Sequence, residues 1–297
     1  MRETVRVACV QAEPVIFDRD ATIAKLAELA REAAAGGARL ALLPETFVPA
    51  YPSNRWAREL AHGSEGAALW ARLAAQSVEV PGPAAAAIGD AAREAGIWLA
   101  VGVNELERGT LYNSLLLYAP DGGLALHHRK LVPTNHERLV WGQGDGRGLE
   151  TVDTGFARTG GLICWENLMP LARFALYESG VEVYLAPTAD DSEGWHDSIR
   201  HIARESRAFV LSCCVFQRAS SYPADIPLAD GGELLGRGGS AIVAPDGAYL
   251  AGPLWDEEGI LYADLDPTVL YTARQRFDPA GHYHRPDVLS LTVTPNS

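Results

Sequence analysis

Three reactive side chains follow predicted strands: Glu45 ends "LALLPE", Lys130 ends "LALHHRK" and Cys164 ends "GGLIC". Reactive residues of α/β folds lie where strands end and loops begin, so all three are candidates for one site. A thiol with a pKa of about 8.5 needs a base or a nearby cation to act as a nucleophile at neutral pH. Glu45 could take the proton. Lys130, with the backbone N–H of Trp165, could stabilise the charge that develops when the thiolate adds to a carbonyl or nitrile carbon.

Each of these residues, taken alone, has a purely structural explanation. A lone cysteine after an apolar run is more often a core residue, and a strand-ending Glu or Lys is usually a solvated charge. The histidines suggest a different chemistry, that of a metal hydrolase: His127, His128, His196, His201, His282 and His284. However, the sequence contains no His-Glu-x-x-His motif, and the His282-x-His284 pair lacks an obvious third ligand. We expect neither a metal nor an organic cofactor.

Composition limits the class of protein and its partners. The chain has 297 residues, of which 47% are hydrophobic and 21% charged, and no low-complexity linker divides it. This favours a single domain over residues 1–297, without a membrane span. The N-terminus lacks a signal-peptide pattern and the four cysteines are too few for a disulfide framework, so we expect a cytoplasmic protein with reduced thiols. A net charge of −13 disfavours nucleic acid and anionic membranes as partners.

Strands and helices alternate along the chain and predict an α/β fold. "VRVACVQAEP", "RLALLPE" and "IWLAVGVNE" are β-rich, and amphipathic helices are predicted over residues 18–35 and 83–95. Two Pro-Asp-Gly turns predict hairpins, so the sheets should be mixed. Further strands are predicted over residues 160–164, 181–186, 209–216 and 259–264. About a dozen strands, with about five helices, are more than one open sheet readily carries. This number favours two stacked sheets with the helices outside.

Six segments resemble the nitrilase branch of the carbon–nitrogen hydrolase superfamily. They are "LLPETFVPAYP", "HRKLVPTNHERLVWGQGDG", "CWENLMPLARFALYESGVEVYLAPTAD", "HIARESRAFVLSCCVFQ", "GRGGSAIVAPDG" and "DPAGHYHRPDV". The matches follow the family's order from Val5 to Val288. The resemblance implies a four-layer αββα sandwich and a catalytic triad of Glu45, Lys130 and Cys164. It also implies a supporting role for Glu137, in "TNHER".

The residues after the cysteine separate branches of this superfamily. "CWENLMPL" is similar to nitrilases, whereas amidase-type relatives typically carry a tyrosine and an aspartate there. We therefore predict a nitrilase that converts an organic nitrile to the carboxylic acid and ammonia through a cysteine thioimidate and an acyl-enzyme. The alternative is an amidase with the same triad. A non-catalytic protein that keeps only the fold is a further alternative, and the presence of all three triad residues argues against it.

The loops 49–56 and 188–195 are expected to shape the pocket. Tyr51, Trp165, Thr188 and Ala189 are the candidates for substrate binding, and Trp56 is a further aromatic residue that could line the pocket or simply pack. By similarity to nitrilases, residues 281–286 are expected near the active site. The sequence does not tell whether the nitrile is aliphatic, arylaliphatic or aromatic.

The resemblance also implies a homodimer or short homo-oligomer. The segment "MPLARFALYESG" is the candidate interface helix, with apolar positions at Leu168, Leu171, Phe174, Ala175 and Leu176. Many nitrilases carry a long C-terminal tail and form spirals. Here the chain ends eleven residues after Pro286, which favours a dimer or short oligomer over a filament.

Overall fold

Two stacked β-sheets carry the fold of this protein. The computed structural model describes residues 1–52, 60, 66–226 and 233–295. In these ranges it contains thirteen strands: β1 Val5–Gln11, β2 Leu40–Leu42, β3 Trp98–Glu107, β4 Thr110–Tyr118, β5 Leu124–Arg129, β6 Val152–Asp153, β7 Arg158–Gly161, β8 Val183–Leu185, β9 Phe209–Ser212, β10 Phe216–Arg218, β11 Leu234–Val243, β12 Tyr249–Trp255 and β13 Gly259–Leu265.

Both sheets are mixed, as the two hairpins predicted. The first sheet has the order β13-β1-β2-β3-β4-β5, in which β1, β2 and β3 are parallel and the other pairs antiparallel. The second sheet has the order β10-β11-β9-β8-β7-β6, with β12 added on β11, and its parallel strands are β7, β8 and β9. The parallel strands at the centre of each sheet end at the same edge, where loops from both sheets can meet.

Helices cover the outer faces of the sheets. The described residues form α1 Arg19–Ala35, α2 Gly66–Ala75, α3 Pro83–Ala95, α4 Pro170–Glu178, α5 Glu193–Ser206 and α6 Pro267–Arg276. Local chemistry sets their ends: Asp18 caps α1 by accepting a 2.9 Å hydrogen bond from the N–H of Ala21, and α3 begins with Pro83. Within the described ranges, no helix has the length and apolar character needed to cross a membrane.

The alternation of side chains along the strands divides the core into layers. On β1, Val5, Val7 and Cys9 pack between the two sheets, while Ala8 and Val10 pack beneath α1 and α3. In the second sheet, Phe209 and Leu211 of β9 face the first sheet, whereas Val210 faces α4 and α5. Because strand side chains alternate with a period of two, each sheet buries both faces. This arrangement confirms the predicted four-layer αββα sandwich. The extent of the domain over residues 1–297 stays a prediction.

Two predicted strands are interrupted in the structure where the sequence predicted that they continue. The strand expected over residues 160–164 ends at Gly161, so Cys164 lies in the following turn. The strand expected over residues 209–216 is divided into β9 and β10. Between them Cys213 points to the first sheet, where its Sγ lies 3.2 Å from the carbonyl oxygen of Val10, and Cys214 points to the opposite side. Neither break could be predicted from hydrophobicity, because the residues at both breaks are buried and apolar like those of a continuous strand.

Candidate active site

Glu45 lies in a turn beyond the end of β2 and is completely buried. The turn lies directly against Gly102 of β3, where a Cβ atom would be 2.3 Å from the backbone nitrogen of Thr46. Glycine is therefore required at this position for the Glu45 turn to reach the sheet. Asn113 of β4 donates a 2.7 Å hydrogen bond from its Nδ2 to Glu45 Oε1. Within the described part of the chain, Glu45 Oε2 has no hydrogen-bond partner.

Lys130 follows β5 and joins two buried carboxylates. Its backbone N–H donates to the carbonyl oxygen of Asn113, which extends the β4–β5 pairing by one residue. Its ammonium nitrogen donates to Glu45 Oε1 at 2.9 Å and to Glu137 Oε2 at 2.6 Å. All three side chains are almost completely excluded from solvent. Such charges are tolerated in a protein interior because they are paired and hydrogen-bonded.

Glu137 is held in a short 3₁₀ turn, Asn135–Leu139, that follows the Lys130 segment. Its Oε2 also accepts a 2.7 Å hydrogen bond from the backbone N–H of Thr134, which fixes the start of the turn. Its Oε1 accepts a 2.8 Å hydrogen bond from the hydroxyl of Tyr51. Lys130 and Glu137 are only seven residues apart in the sequence, and the turn between them brings the Glu137 carboxylate back to the Lys130 ammonium.

Cys164 begins a 3₁₀ turn, Cys164–Leu168, that connects β7 with α4. Its φ angle of 52° lies in the left-handed region, which is strained for a residue with a side chain. The backbone N–H of Cys164 donates to Pro187 and the hydroxyl of Thr188 donates to Cys164 Sγ at 3.2 Å. The Sγ and the carboxylate oxygens of Glu45 and Glu137 lie within 4.8 Å of one another.

Burial and charge set the protonation of the site. Burial raises the pKa of Glu45 to about 6, against the opposing effect of Lys130. Burial, together with the negative charge of Glu45, also raises the pKa of Cys164 above its ordinary value. Burial alone would lower the pKa of Lys130, but contact with Glu45 and the neighbouring acidic groups raises it. The resting site therefore contains a protonated thiol, a carboxylate that can accept a proton near neutral pH, and a permanent ammonium.

Glu45, Glu137 and Cys164 also have the spacing of a metal-ligand set. Lys130, however, donates to both carboxylates, so the positive charge that a metal would supply is already present as an ammonium. A thiol, a base and a fixed cation form the donor set of proton transfer and nucleophilic attack. The expectation that no cofactor is needed stays a prediction.

An open cavity of about 390 Å³ leads to the Cys164 sulfur. Its described lining is mostly polar and aromatic and comes from five parts of the chain: Tyr51, Thr134, Asn135, His136, Glu137, Cys164, Trp165, Ala189, Asp190, Asp191 and Leu235. This volume suits a small molecule rather than a polymer. Lys130 and Glu45 are buried and are not among this lining, so a ligand reaches the sulfur first.

The cavity includes most of the residues chosen from the sequence. Tyr51, Trp165 and Ala189 line it, and Trp165 is half exposed, with its indole N–H donating to Asp190 at 2.6 Å. Thr188 is completely buried and contacts the sulfur rather than the cavity. Trp56 lies outside the described residues.

Residues 281–286 are placed elsewhere, contrary to expectation. After α6 ends, this segment packs against α4, where the ring of His284 lies 5.2 Å from that of Phe174. None of these residues is among the lining of the cavity.

Sequence reasoning missed several residues of the site. Asn113, in the middle of β4, could not be recognised from the sequence, because the role of a buried asparagine within a strand depends on the residue to which it is hydrogen-bonded. Asp190 and Asp191 lie in the loop 188–195 that was expected to shape the pocket, but were not singled out. Glu166 is completely buried beside Cys164, and its place in "CWEN" was the available signal.

A family model, carbon-nitrogen hydrolase, matches residues 6–275. The chain belongs to the carbon–nitrogen hydrolase family. It is 46% identical to an aliphatic nitrilase of Sinorhizobium fredii over 97% of this chain and 95% of that protein. It is 43% identical to nitrilase 1 of Arabidopsis thaliana, over 98% of this chain and 87% of that protein. The resemblance to the nitrilase branch is thereby confirmed, and this hydrolase has nitrilases as its sequence relatives.

Solved structures of the superfamily have the same fold. Saccharomyces cerevisiae Nit3 matches with a TM-score of 0.73 at 21% identity, covering 95% of this chain and 97% of that one. An amidase from Nesterenkonia sp. matches with a TM-score of 0.69 at 22% identity, covering 93% and 96%. At these identities the similarity concerns the sandwich alone.

Proposed function

We propose that this hydrolase is a nitrilase that converts an organic nitrile and two water molecules to a carboxylic acid and ammonia. The observation that carries the proposal is the Cys164 sulfur at the base of an open cavity, within 4.8 Å of the Glu45 carboxylate. The similarity to an aliphatic nitrilase and to nitrilase 1, both above 40% identity, supports a nitrile as substrate.

Glu45 is proposed as the general base that activates Cys164. Its Oε1 is held by Lys130 and Asn113, which leaves Oε2 to accept the thiol proton. The sulfur attacks the nitrile carbon, a C–S bond forms, and one C–N π bond breaks. Glu45 returns the proton to the nitrogen, which gives a neutral thioimidate.

Water then converts the thioimidate to the acid in two stages. Glu45 deprotonates a water that adds to the thioimidate carbon and passes this proton to nitrogen, which gives a tetrahedral intermediate with a hydroxyl and an amine. The hydroxyl proton is then transferred to the amine through Glu45, the C–N bond breaks, ammonia leaves and the thioester carbonyl forms. A second water adds to the resulting thioester, the C–S bond breaks, and the acid and the Cys164 thiol are released. Lys130 is proposed to stabilise the negative oxygen of each tetrahedral intermediate. Glu137 supports it by holding the ammonium in place.

Substrate contacts are assigned to the cavity lining. Tyr51, Trp165 and Ala189 are the proposed substrate-binding residues, because they surround the sulfur without contacting it through a hydrogen bond. Thr188, which the sequence grouped with them, is reassigned to the sulfur. Burial and the charge of Glu137 raise the pKa of Tyr51, so its hydroxyl stays a donor at neutral pH.

A panel of matched nitriles and amides tests the proposal. Ammonia and acid are quantified for each compound with the wild-type protein, with Cys164→Ala, and with Cys9→Ala as a matched control, because Cys9 is a buried thiol that does not line the cavity. We expect nitrile turnover in the wild type and in Cys9→Ala, and none in Cys164→Ala. Turnover of amides alone would identify an amidase, and no turnover of either would overturn the proposal.

We also propose that two or more copies associate through the start of α4. Leu168 and Leu171 are exposed by 49% and 68%, which is unusual for leucine. The predicted interface is corrected in part: Ala175 and Leu176 are buried, and Leu176 belongs to the core beneath the helix. Leu171→Asp should lower the mass measured by light scattering. A monomeric wild type at micromolar concentration would contradict the association.

A reducing compartment such as the cytoplasm is the proposed location. All four cysteines are free and buried, and Cys164 must be reduced to attack a carbon. Thiol titration of the unfolded protein, without reductant, should count four thiols. A lower count in protein isolated from its native cells would contradict this location.

A further inference from the structure

A buried carboxylate, that of Glu166, connects the two segments that carry the reactive groups. Glu166 Oε2 accepts a 2.9 Å hydrogen bond from the backbone N–H of Ile163, which immediately precedes Cys164. Glu166 Oε1 accepts a 2.8 Å hydrogen bond from the backbone N–H of Leu131, which immediately follows Lys130. One carboxylate therefore contacts the chain next to the nucleophile and next to the cation, although these residues belong to different sheets.

His128 provides the third contact of this carboxylate. Its Nε2–H donates to Glu166 Oε2 at 2.8 Å, and both side chains are completely buried. Gly148 packs directly on the histidine, since a Cβ atom at Gly148 would lie 2.5 Å from His128 Cβ. The histidine therefore has little room to turn away, and it holds the same carboxylate oxygen that accepts from the N–H of Ile163.

The charge of Glu166 agrees with these contacts. Burial alone would raise its pKa, but His128 and the backbone N–H groups of Ile163 and Leu131 hold the pKa below its ordinary value. Glu166 is not among the residues that line the cavity. Its carboxylate thus carries a negative charge that the proposed reaction does not use.

We propose that Glu166 is a positioning residue, which with His128 holds the Cys164 turn and the Lys130 segment at a fixed separation. The inference rests on the proposed function, because it assumes that both reactive groups act together. Misplacement of reacting groups by about 1 Å can cost about 100-fold in rate. Only a carboxylate offers acceptors to all three donors, because the NH₂ group of a glutamine would meet an N–H group on one side.

The chain supplies a matched control pair one residue away. His127 lies beside His128 on β5 and points to the other face, where its Nε2 contacts Glu105 at 2.7 Å. Glu105 is also completely buried, and accepts hydrogen bonds from Arg129 and Ser114. Glu105→Gln therefore alters a similar histidine–carboxylate pair, whose histidine lies on the same strand as His128, without a contact to the Cys164 turn.

The experiment compares Glu166→Gln with Glu105→Gln by three measurements. They are kcat and KM for a nitrile that the wild type hydrolyses, the alkylation rate of Cys164 by iodoacetamide, followed by peptide mass spectrometry, and thermal unfolding. We expect Glu166→Gln to lower kcat by about 100-fold with little change in KM, and to slow alkylation of Cys164. Glu105→Gln should keep wild-type kcat and alkylation, even if both variants lose similar stability.

Variants at His128 keep the test decisive if Glu166→Gln does not fold. His128→Gln retains a donor near the position of Nε2, and should recover much of the activity that His128→Leu loses. His127→Leu is the corresponding control and should remain active. Equal losses in His128→Gln and His128→Leu would overturn the role given to the hydrogen bond.

The two proposals fail in different ways. Alkylation of Cys164 requires no nitrile turnover, so slower alkylation in Glu166→Gln would support the positioning role even in a protein without nitrilase activity. A Glu166→Gln variant with wild-type kcat and wild-type alkylation would overturn the positioning role and leave the nitrilase proposal intact.

Discussion

The hydroxyl of Thr188 donates a hydrogen bond to the sulfur of Cys164, over 3.2 Å. The same oxygen accepts from the backbone N–H of Asp190 at 2.9 Å, so the hydroxyl proton is directed to the sulfur. A donor in this position stabilises a thiolate more than a thiol, because hydrogen bonds to charged acceptors are the stronger ones. Thr188 thus connects the loop 188–195 to the chemistry of the cysteine.

Thr188→Val should therefore lower kcat/KM for a nitrile by about 10- to 100-fold, the effect of losing about 1.5–3 kcal/mol from a hydrogen bond to a charged group. Valine keeps the shape of threonine and removes the hydroxyl, which is both the donor to the sulfur and the acceptor for the N–H of Asp190. Thr188→Ser retains the hydroxyl and serves as the control. Steady-state kinetics on all three proteins measures the effect, and unchanged kinetics in Thr188→Val would remove Thr188 from the site.

Cys164→Ala should abolish turnover and leave the fold intact. No other group of the described cavity lining can form the thioimidate, and removal of one sulfur from a nearly buried position creates only a small cavity. Ammonia release measures activity, and circular dichroism with thermal unfolding measures the fold. Retained activity in a folded variant would exclude covalent catalysis by this residue.

Glu45→Gln and Lys130→Ala should each lower kcat by about 100-fold or more, as expected for the loss of a general base or an oxyanion donor. Lys130→Ala should also lower the thermal midpoint, because it leaves two buried carboxylates facing one another without a cation. Glu45→Gln, which keeps the size of the side chain, separates the loss of a base from a loss of packing. A mild effect in either variant would require a different role for that residue.

The pH dependence of kcat/KM should show a limb near pH 6. Burial raises the pKa of Glu45 to about 6, and protonation below this value removes the base. The rate should therefore fall with decreasing pH. The free energy of unfolding has the opposite pH dependence, because the folded protein binds this proton more tightly than the unfolded chain. The contribution of Glu45 to the free energy of unfolding therefore decreases as the pH rises to about 6. A profile that stays flat across this range would argue against Glu45 as the base.

Hydrolysis should yield mainly the acid and ammonia, with the amide as a minor product. The tetrahedral intermediate loses either ammonia or the Cys164 thiolate, and proton transfer from Glu45 to nitrogen favours ammonia. Electron-withdrawing substituents weaken protonation of that nitrogen, so the amide fraction should increase along a matched series of nitriles. Chromatography measures both products. Amide as the main product from simple nitriles would contradict this assignment.

The sequence by itself determined the elements and the reactive residue types. The amphipathic pattern predicted helices over residues 18–35 and 83–95, and α1 and α3 lie at these positions, because such patterns act within a few residues. The Pro-Asp-Gly turns predicted both hairpins for the same reason. Glu45, Lys130 and Cys164 stood out because each follows an apolar run, and strand ends are where a sheet opens to loops.

Only the tertiary structure decided which side chains meet. Asn113 and Glu45 are 68 positions apart, and Tyr51 and Glu137 are 86 apart, so no local pattern pairs them. The turn at Cys164 and the reassignment of Thr188 from substrate to sulfur likewise depend on loops from different strands. Whether a hydrogen bond forms depends on a few tenths of an ångström in the distance between donor and acceptor. The packing of the two sheets against each other sets that distance.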